Sequence, residues 1–452
     1  MYDLGVQSHY TLRKHKFGTV MKGIIFVIVS ALLLNSCVGE SCLKYLLRDG
    51  DIPHFVDCFI NIVADAVSVT EREIPSKYVR DPFAPNGLTV PKIIRKEKLN
   101  AEEHHVETED GYILTMHRIP GKKGAPPVFL QHGLIASSLD WVLGGSKYEA
   151  LAFRLHDEGY DVWMGNARGN IYSQGHKNLT SDDEKYWDFS WQEMGMYDIP
   201  AEIDYIQKKT NQKIIYVGYS MGSTMSYVMA SERPDTAKKL KAIYSLSPVV
   251  YMKNVRTLTA ALAPSYKAIL EILNYLGIYG FHTLSLTART VFHFACNFLG
   301  LGFEGCIRMM DGVIGISAHQ LNWDMLWDIE THVPSGIGAK VFAHYAQNVN
   351  WGRFAKYDYG SEKNLKVYKS ESPPDFKLEK INVPVGLIYA FNDVFADPAD
   401  VKLLLDTIPK NIILNHTVTD TRFSHVDFMY SKRSSREVTD HLISSMKQFK
   451  DK

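Results

Sequence analysis

Gly218-Tyr219-Ser220-Met221-Gly222 stands directly behind the apolar run Ile214-Ile-Tyr-Val217. The pattern is Gly-x-Ser-x-Gly between an expected strand and an expected helix over 223–232, a serine carried on a sharp turn. The backbone closes so tightly there that a Cβ two positions either side of the serine would collide, so glycine is required at 218 and 222. The turn lifts Ser220 to the carboxyl edge of a sheet, where the free amides of the following helix point at the same spot. A serine hydroxyl is a poor nucleophile at neutral pH. It needs a base within hydrogen-bond reach and an acid to orient that base.

Both partners have candidates, in the chain order nucleophile, acid, base that this turn goes with. Asp393 ends Ile388-Tyr-Ala-Phe-Asn-Asp393, behind a late apolar strand. Its rival Asp397 precedes Pro398 at a helix start, an N-cap followed by proline at the first helical position. Asp397 is therefore assigned to capping and Asp393 to the acid. His425, in Phe423-Ser-His-Val-Asp-Phe428, occupies the loop after the last expected strand and is the base. His416, at a strand end, is the weaker candidate. An oxyanion needs preorganised N–H donors. The amide of Met221 is one, and the amide of Leu134, in the His132-Gly-Leu134 loop behind an early strand, is the other.

These residues need a scaffold. An Asp-Gly hairpin is expected over 106–119, followed by buried strands at 127–131 and 160–164 with a helix over 147–158 between them. A helix over 202–209 leads to the strand that carries the serine turn, and a further strand follows at 240–246. Strands alternating with helices imply a mostly parallel sheet covered on both faces. The alternation stops between 248 and 374, where aromatic and aliphatic helices are expected at 265–276 and 287–299. It resumes with a strand at 383–389, a helix at 399–407, a strand at 412–414 and a last helix at 436–449. A helical insertion between consecutive strands is a cap over the edge that carries Ser220. The expected division is an N-terminal extension and signal over 1–39, a pro-segment or extended arm over 40–92, core over 93–247, cap over 248–374 and core again over 375–452.

The chain has 452 residues, with 50 lysines and arginines against 50 aspartates and glutamates. That balance removes an electrostatic case for nucleic acid. Met21-Lys22 ahead of the apolar run Gly23–Leu34, followed by small or weakly polar residues, reads as an export signal too short to span a bilayer. Of the five cysteines, Cys37 would leave with that signal, and Cys42, Cys58, Cys296 and Cys306 suit an oxidising compartment. A bridge between Cys296 and Cys306 would close a short loop worth about 2–3 kcal/mol. Asn178-Leu-Thr and Asn415-His-Thr are glycosylation acceptors once export is accepted. Zinc spacing, calcium loops and phosphate-cradling glycine patterns are missing from the sequence, and no cofactor is required.

The chain resembles the acid lipases, the gastric and lysosomal group with its insect lipase-3-like members. The residues that carry this are Ala101-Glu-Glu-His-His-Val106, Asp110-Gly-Tyr-Ile-Leu114, His132-Gly-Leu134, Asn166-Ala-Arg-Gly-Asn170, Trp187-Asp-Phe-Ser-Trp191, Tyr197-Asp-Ile-Pro200, Tyr357-Asp-Tyr-Gly360, Asn392-Asp393 and His425-Val-Asp-Phe428. The resemblance runs from about residue 93 almost to the C-terminus. It implies an α/β-hydrolase fold with a helical cap, Ser220 as nucleophile, Asp393 as acid, His425 as base, and Leu134 and Met221 as oxyanion donors. It also implies a neutral lipid ester, triacylglycerol or cholesteryl ester, met at a lipid–water interface. The expected address is secreted or lysosomal, and no stable protein partner is implied. The family usually reads Gly-His-Ser-Gln-Gly at the turn, whereas this chain has Tyr219 and Met221. The competing expectations are a noncatalytic lipid binder on the same fold, for which a complete triad has no use, and an esterase for short soluble esters.

Overall fold

In the computed structural model, the residues described are 89–281 and 312–450, apart from 318, 326–327 and 330–331. The expected export signal, all five cysteines and the helix expected over 287–299 lie outside them.

Strands β1 (Glu102–Glu107), β2 (Tyr112–Ile119), β3 (Pro127–Gln131), β4 (Asp161–Met164), β5 (Gly175–His176), β6 (Ile214–Tyr219), β7 (Leu240–Leu246), β10 (Val385–Tyr389) and β11 (Ile412–Thr417) form one nine-stranded sheet. The order is β1-β2-β4-β3-β6-β7-β10-β11, with β5 beside β2. From β4 to β11 all pairings are parallel, and β2 pairs antiparallel with β1, β4 and β5. The fold is that of an α/β hydrolase. A two-stranded ribbon, β8 (Gly280–Phe281) with β9 (Ile337–Gly338), lies outside the sheet.

The central strands are buried along their whole length because both sheet faces are covered, and so they read as continuous apolar runs. Their alternate side chains divide between two cores. Phe129, Ile214 and Tyr216 face one with helices α3 (Ile199–Thr210) and α4 (Met221–Glu232). Val128, Leu130, Ile215 and Val217 face the other with α2 (Leu151–Asp157) and the C-terminal helix.

Several boundaries differ from the sequence expectation. A helix, α1 (Val90–Lys96), with Pro91 in its first turn, crosses the division drawn at residue 92. Helix α4 starts at Met221, two residues early, because the turn at Ser220 leads straight into it. The C-terminal helical stretch opens with a π-turn, Ser435–Thr439, and becomes regular α-helix only over Asp440–Met446. Strand β11 runs on to Thr417, since β10 continues to pair with it.

Between β7 and β10 the described elements are helical: α5 (Tyr266–Tyr275), α6 (Ala339–Trp351) and α7 (Ser361–Tyr368), besides the small ribbon. Helix α6 is tied to the core through His344, stacked on Trp191 at 3.6 Å and hydrogen-bonded to Ser190 and to the carbonyl of Ala355. Burial pushes the His344 imidazole down to about 3, so it stays neutral and can act as a stacking ring inside the core.

Candidate active site

Ser220 follows the last residue of β6 with φ 52° and ψ −112°, a left-handed backbone that a serine adopts only under constraint. The constraint comes from the flanking glycines. A Cβ on Gly218 would lie 2.6 Å from the carbonyl carbon of Gly222, and one on Gly222 would run into the main-chain oxygen of Gln131. Helix α4 behind the serine is buried on all sides, so its polar residues bond locally. Ser223 donates to the carbonyl of Gly218 at 2.9 Å and Thr224 to that of Val249 at 2.6 Å.

Three side chains from distant parts of the sequence meet at this turn. His425 Nε2 lies 2.8 Å from Ser220 Oγ, and His425 Nδ1 lies 3.0 Å and 3.2 Å from the two carboxylate oxygens of Asp393. Asp393 is fully buried. Burial alone would raise its pKa. The nearby His425 and the hydrogen bonds from His425, Ser247 and the loop amides outweigh that and hold it below the usual carboxylate value. One oxygen, Oδ1, accepts from the amides of Phe395 and Ala396 at 2.9 Å each. Asp397 stands aside. It accepts from the Ala399 amide at 2.9 Å as the cap of α8 (Pro398–Thr407) and pairs with Arg256 at 3.0 Å. His416 is stacked on His441 at 3.7 Å, on the edge strand β11.

The oxyanion candidates fall beside the serine. Met221 is the first residue of α4, where amides have no partner inside a helix. The His132-Gly-Leu134 loop comes close enough that a Cβ on Gly133 would lie 3.3 Å from Ser220 Cβ. The shape of that loop is set by His132. Its Nδ1 donates to the carbonyl of Gly133 at 2.7 Å, and its Nε2 accepts from the amide of Ala167 at 3.0 Å. Burial pushes the His132 pKa down to about 4, so the ring keeps one proton and this pair of roles. Asn166 and Asn170, from the Asn-Ala-Arg-Gly-Asn motif, continue the buried network, and Asn170 Nδ2 reaches His132 Nε2 at 3.2 Å. Arg168 in the same motif is buried between Asp110 and Asp198.

Two contributors were not legible in the sequence. Ser247, the first residue after β7, sits 2.6 Å from both Asp393 Oδ2 and His425 Nδ1. A serine ahead of a proline at a strand end carries no signal of such a role. Tyr219 was visible only as a departure from the family pattern, yet its hydroxyl donates to the carbonyl of His425 at 2.9 Å.

Parts of the 248–374 segment also reach this edge. The Gly315 carbonyl accepts from the Val426 amide at 2.9 Å, and the Ser335 amide donates to the carbonyl of Ile135 at 2.7 Å. Tyr345 on α6 touches Thr224 on α4 at 3.0 Å. Of the two expected glycosylation acceptors, Asn178 is exposed in a loop after β5, and Asn415 is exposed on β11. Among the described residues there is no group of histidine, cysteine and carboxylate side chains that could hold a metal ion. No helix among them is long and apolar enough to cross a membrane.

Residues 90–145 match the model of a partial alpha/beta-hydrolase lipase region, and residues 126–273 match that of the alpha/beta hydrolase fold. The chain is 40% identical over 349 residues to Lipase 1 of Drosophila melanogaster, covering 76% of each protein. It is 39% identical over 356 residues to Lipase 3 of the same fly, covering 77% of this chain and 90% of that one. With gastric triacylglycerol lipase of Homo sapiens it shares 35% identity over 361 residues, 77% of this chain and 88% of the relative.

Proposed function

Since the chain belongs to the acid-lipase family of the α/β hydrolases and is a carboxylic ester hydrolase, we propose that it cleaves neutral lipid esters, triacylglycerol or cholesteryl ester, through an acyl-enzyme formed on Ser220. The observation that carries this reading is the 2.8 Å contact between Ser220 Oγ and His425 Nε2, with Asp393 on the far side of the same ring. Ser220 Oγ attacks the ester carbonyl carbon while His425 Nε2 takes its proton. The carbonyl oxygen becomes an oxyanion, held by the amides of Met221 and Leu134. Collapse of this intermediate releases the alcohol, protonated by His425, and leaves the acyl group on Ser220. Water, activated by the same imidazole, then frees the fatty acid. Asp393 keeps the proton on Nδ1, so that the Nε2 lone pair faces the serine, and stabilises the imidazolium.

The segment 248–374 is the cap of this site. Support comes from its contacts with the serine helix, the oxyanion loop and the histidine loop, together with the large apolar residues of α5, such as Ile269, Ile272 and Leu273. A long acyl chain needs such an apolar cover. Residues 93–247 and 375–450 make up the core beneath it. The names of the gastric relatives support a triacylglycerol substrate and a secretory route, ending outside the cell or in the lysosome. On that route Asn178 and Asn415 would carry glycans, and Cys296 and Cys306, outside the described residues, would be bridged.

Rates of the purified protein on triolein, cholesteryl oleate and a short-chain ester, from about pH 4 to pH 8, test this reading. Turnover of a long-chain lipid is the expected result. Hydrolysis of the short ester alone would make the protein a soluble-ester esterase, and lipid binding without any hydrolysis would make it a noncatalytic binder.

A further inference from the structure

Ser220 and Ser247 both touch the His425 ring, from opposite sides, and both hold a positive φ, 52° and 50°. Left-handed backbone at a residue other than glycine is strained and persists where its surroundings impose it. At Ser220 the turn imposes it. At Ser247 the backbone amide donates to the carbonyl of Ile388 at 2.8 Å, extending the β7–β10 pairing one residue beyond β7. This fixes Ser247 to the strand that delivers Asp393. The guanidinium of Arg256 fixes the acid loop from the other end, donating to the carbonyl of Asp393 at 2.9 Å.

The hydroxyl of Ser247 is fully buried, 2.6 Å from Asp393 Oδ2 and 2.6 Å from His425 Nδ1. A hydroxyl has one proton to give and lone pairs with which to accept. The carboxylate can only accept, so the proton goes to Asp393 Oδ2, and the oxygen of Ser247 is left to accept from Nδ1–H of His425. The three groups then close a ring of hydrogen bonds: His425 to Asp393 and to Ser247, and Ser247 to Asp393. Asp393 Oδ1 is already occupied by two loop amides, which leaves Ser247 as the short contact of Oδ2.

We propose that Ser247 is a fourth, positioning member of the catalytic group, holding the Asp393 carboxylate and the Nδ1–H tautomer of His425 in register with Ser220. It acts through the acid–base pair and has no contact with substrate in this role. The inference rests on the triad reading given above. The resemblance to acid lipases assigns nothing to this position.

The test compares Ser247→Ala, Ser247→Gly and Ser220→Ala on a soluble chromogenic short-chain ester, with thermal unfolding measured on each variant. Alanine and glycine both remove the hydroxyl, and glycine also relieves the strain at φ 50°. Both Ser247 variants are expected to lose about 10- to 100-fold in kcat with little change in KM, the effect of taking its shortest hydrogen bond from a buried charged acceptor beside the base. The acid limb of kcat/KM should also move, because the hydroxyl bonds both members of the acid–base pair. Wild-type kcat in both variants would overturn the proposal. So would a loss in Ser247→Ala that Ser247→Gly restores, which would assign the effect to backbone strain. A fall in kcat without movement of the acid limb would reduce Ser247 to packing and overturn it too. If Ser220→Ala itself retained turnover, the triad reading would fall first and this inference with it. An inactive Ser220→Ala beside unaffected Ser247 variants would sink this inference alone.

Discussion

The Tyr219 hydroxyl donates to the main-chain carbonyl of His425 at 2.9 Å, so the residue before the serine holds the loop that carries this histidine. The ring of Tyr219 also lies against the His425 imidazole, with centroids 5.4 Å apart, and stacks on Phe428. The serine turn and the histidine loop are thus one packed unit, although 206 positions separate their residues. Tyr219→Phe keeps the ring and removes the donor from a buried carbonyl. We expect a stability loss of about 1–2 kcal/mol and a several-fold fall in kcat. Thermal unfolding and steady-state kinetics on a soluble ester check both. Unchanged kinetics would show that the ring contacts alone hold the loop.

Ser220→Ala should abolish ester hydrolysis, by about 10⁴-fold or more, because members of a triad act as a unit. The fold should survive, since the substitution removes one hydroxyl next to His425 and leaves the glycines of the turn in place. Activity and thermal unfolding, measured on the same preparation, separate catalytic loss from misfolding.

The two late aspartates should differ sharply. Asp393→Asn favours the wrong imidazole tautomer at His425, and the comparable change in a serine protease costs of order 10⁴ in kcat. Asp397→Asn keeps a competent helix cap and loses only a half-exposed pairing with Arg256, worth about 1 kcal/mol or less. The reverse ranking in kcat would move the acid to position 397.

Asp140 offers a test of stability against pH. Burial pushes its carboxyl up to about 7, against the opposing hydrogen bond from Tyr430, which donates to Asp140 Oδ1 at 2.9 Å. With the folded pKa above the unfolded value, the folded state holds this proton more tightly. The resulting stability is fully present below the unfolded carboxylate pKa and is lost as pH rises through about 7. Asp140→Asn stays neutral and still accepts from Tyr430. It should gain about 1–3 kcal/mol relative to wild type at pH 8 and lose that advantage on acidification. Denaturant unfolding at both pH values reads the difference. An equal effect at both would mean that Asp140 is not the titrating group.

The cap proposal predicts how the rate responds to an interface. An apolar tunnel left open in water would expose a large sticky patch, so the 248–374 segment should close in water and open on lipid. With a partly soluble ester, the rate should jump as its concentration passes the solubility limit. A smooth hyperbola through that limit would favour a preformed tunnel beneath a fixed cap.

Local patterns were enough to determine most of the frame. The apolar runs that became β3, β6, β7 and β10 are buried on both faces, so their composition announced them without reference to the rest of the chain. The glycines at 218 and 222 announced the turn because a Cβ cannot fit there, and the Asp397-Pro398 pair announced a helix cap. From these, with the order of Asp393 and His425, the catalytic candidates followed. What only the tertiary structure decided are relationships between residues far apart in the chain whose own types are unremarkable. Ser247 is a serine before a proline until the β7–β10 pairing carries it to Asp393 and His425. Tyr219 is a departure from a motif until the histidine loop packs onto it. Asp140 is one acidic residue among many until burial makes its charge costly. Strand identity is written in the alternation and run of local side chains. Hydrogen-bond partners and protonation states are set by what the folded chain brings next to them.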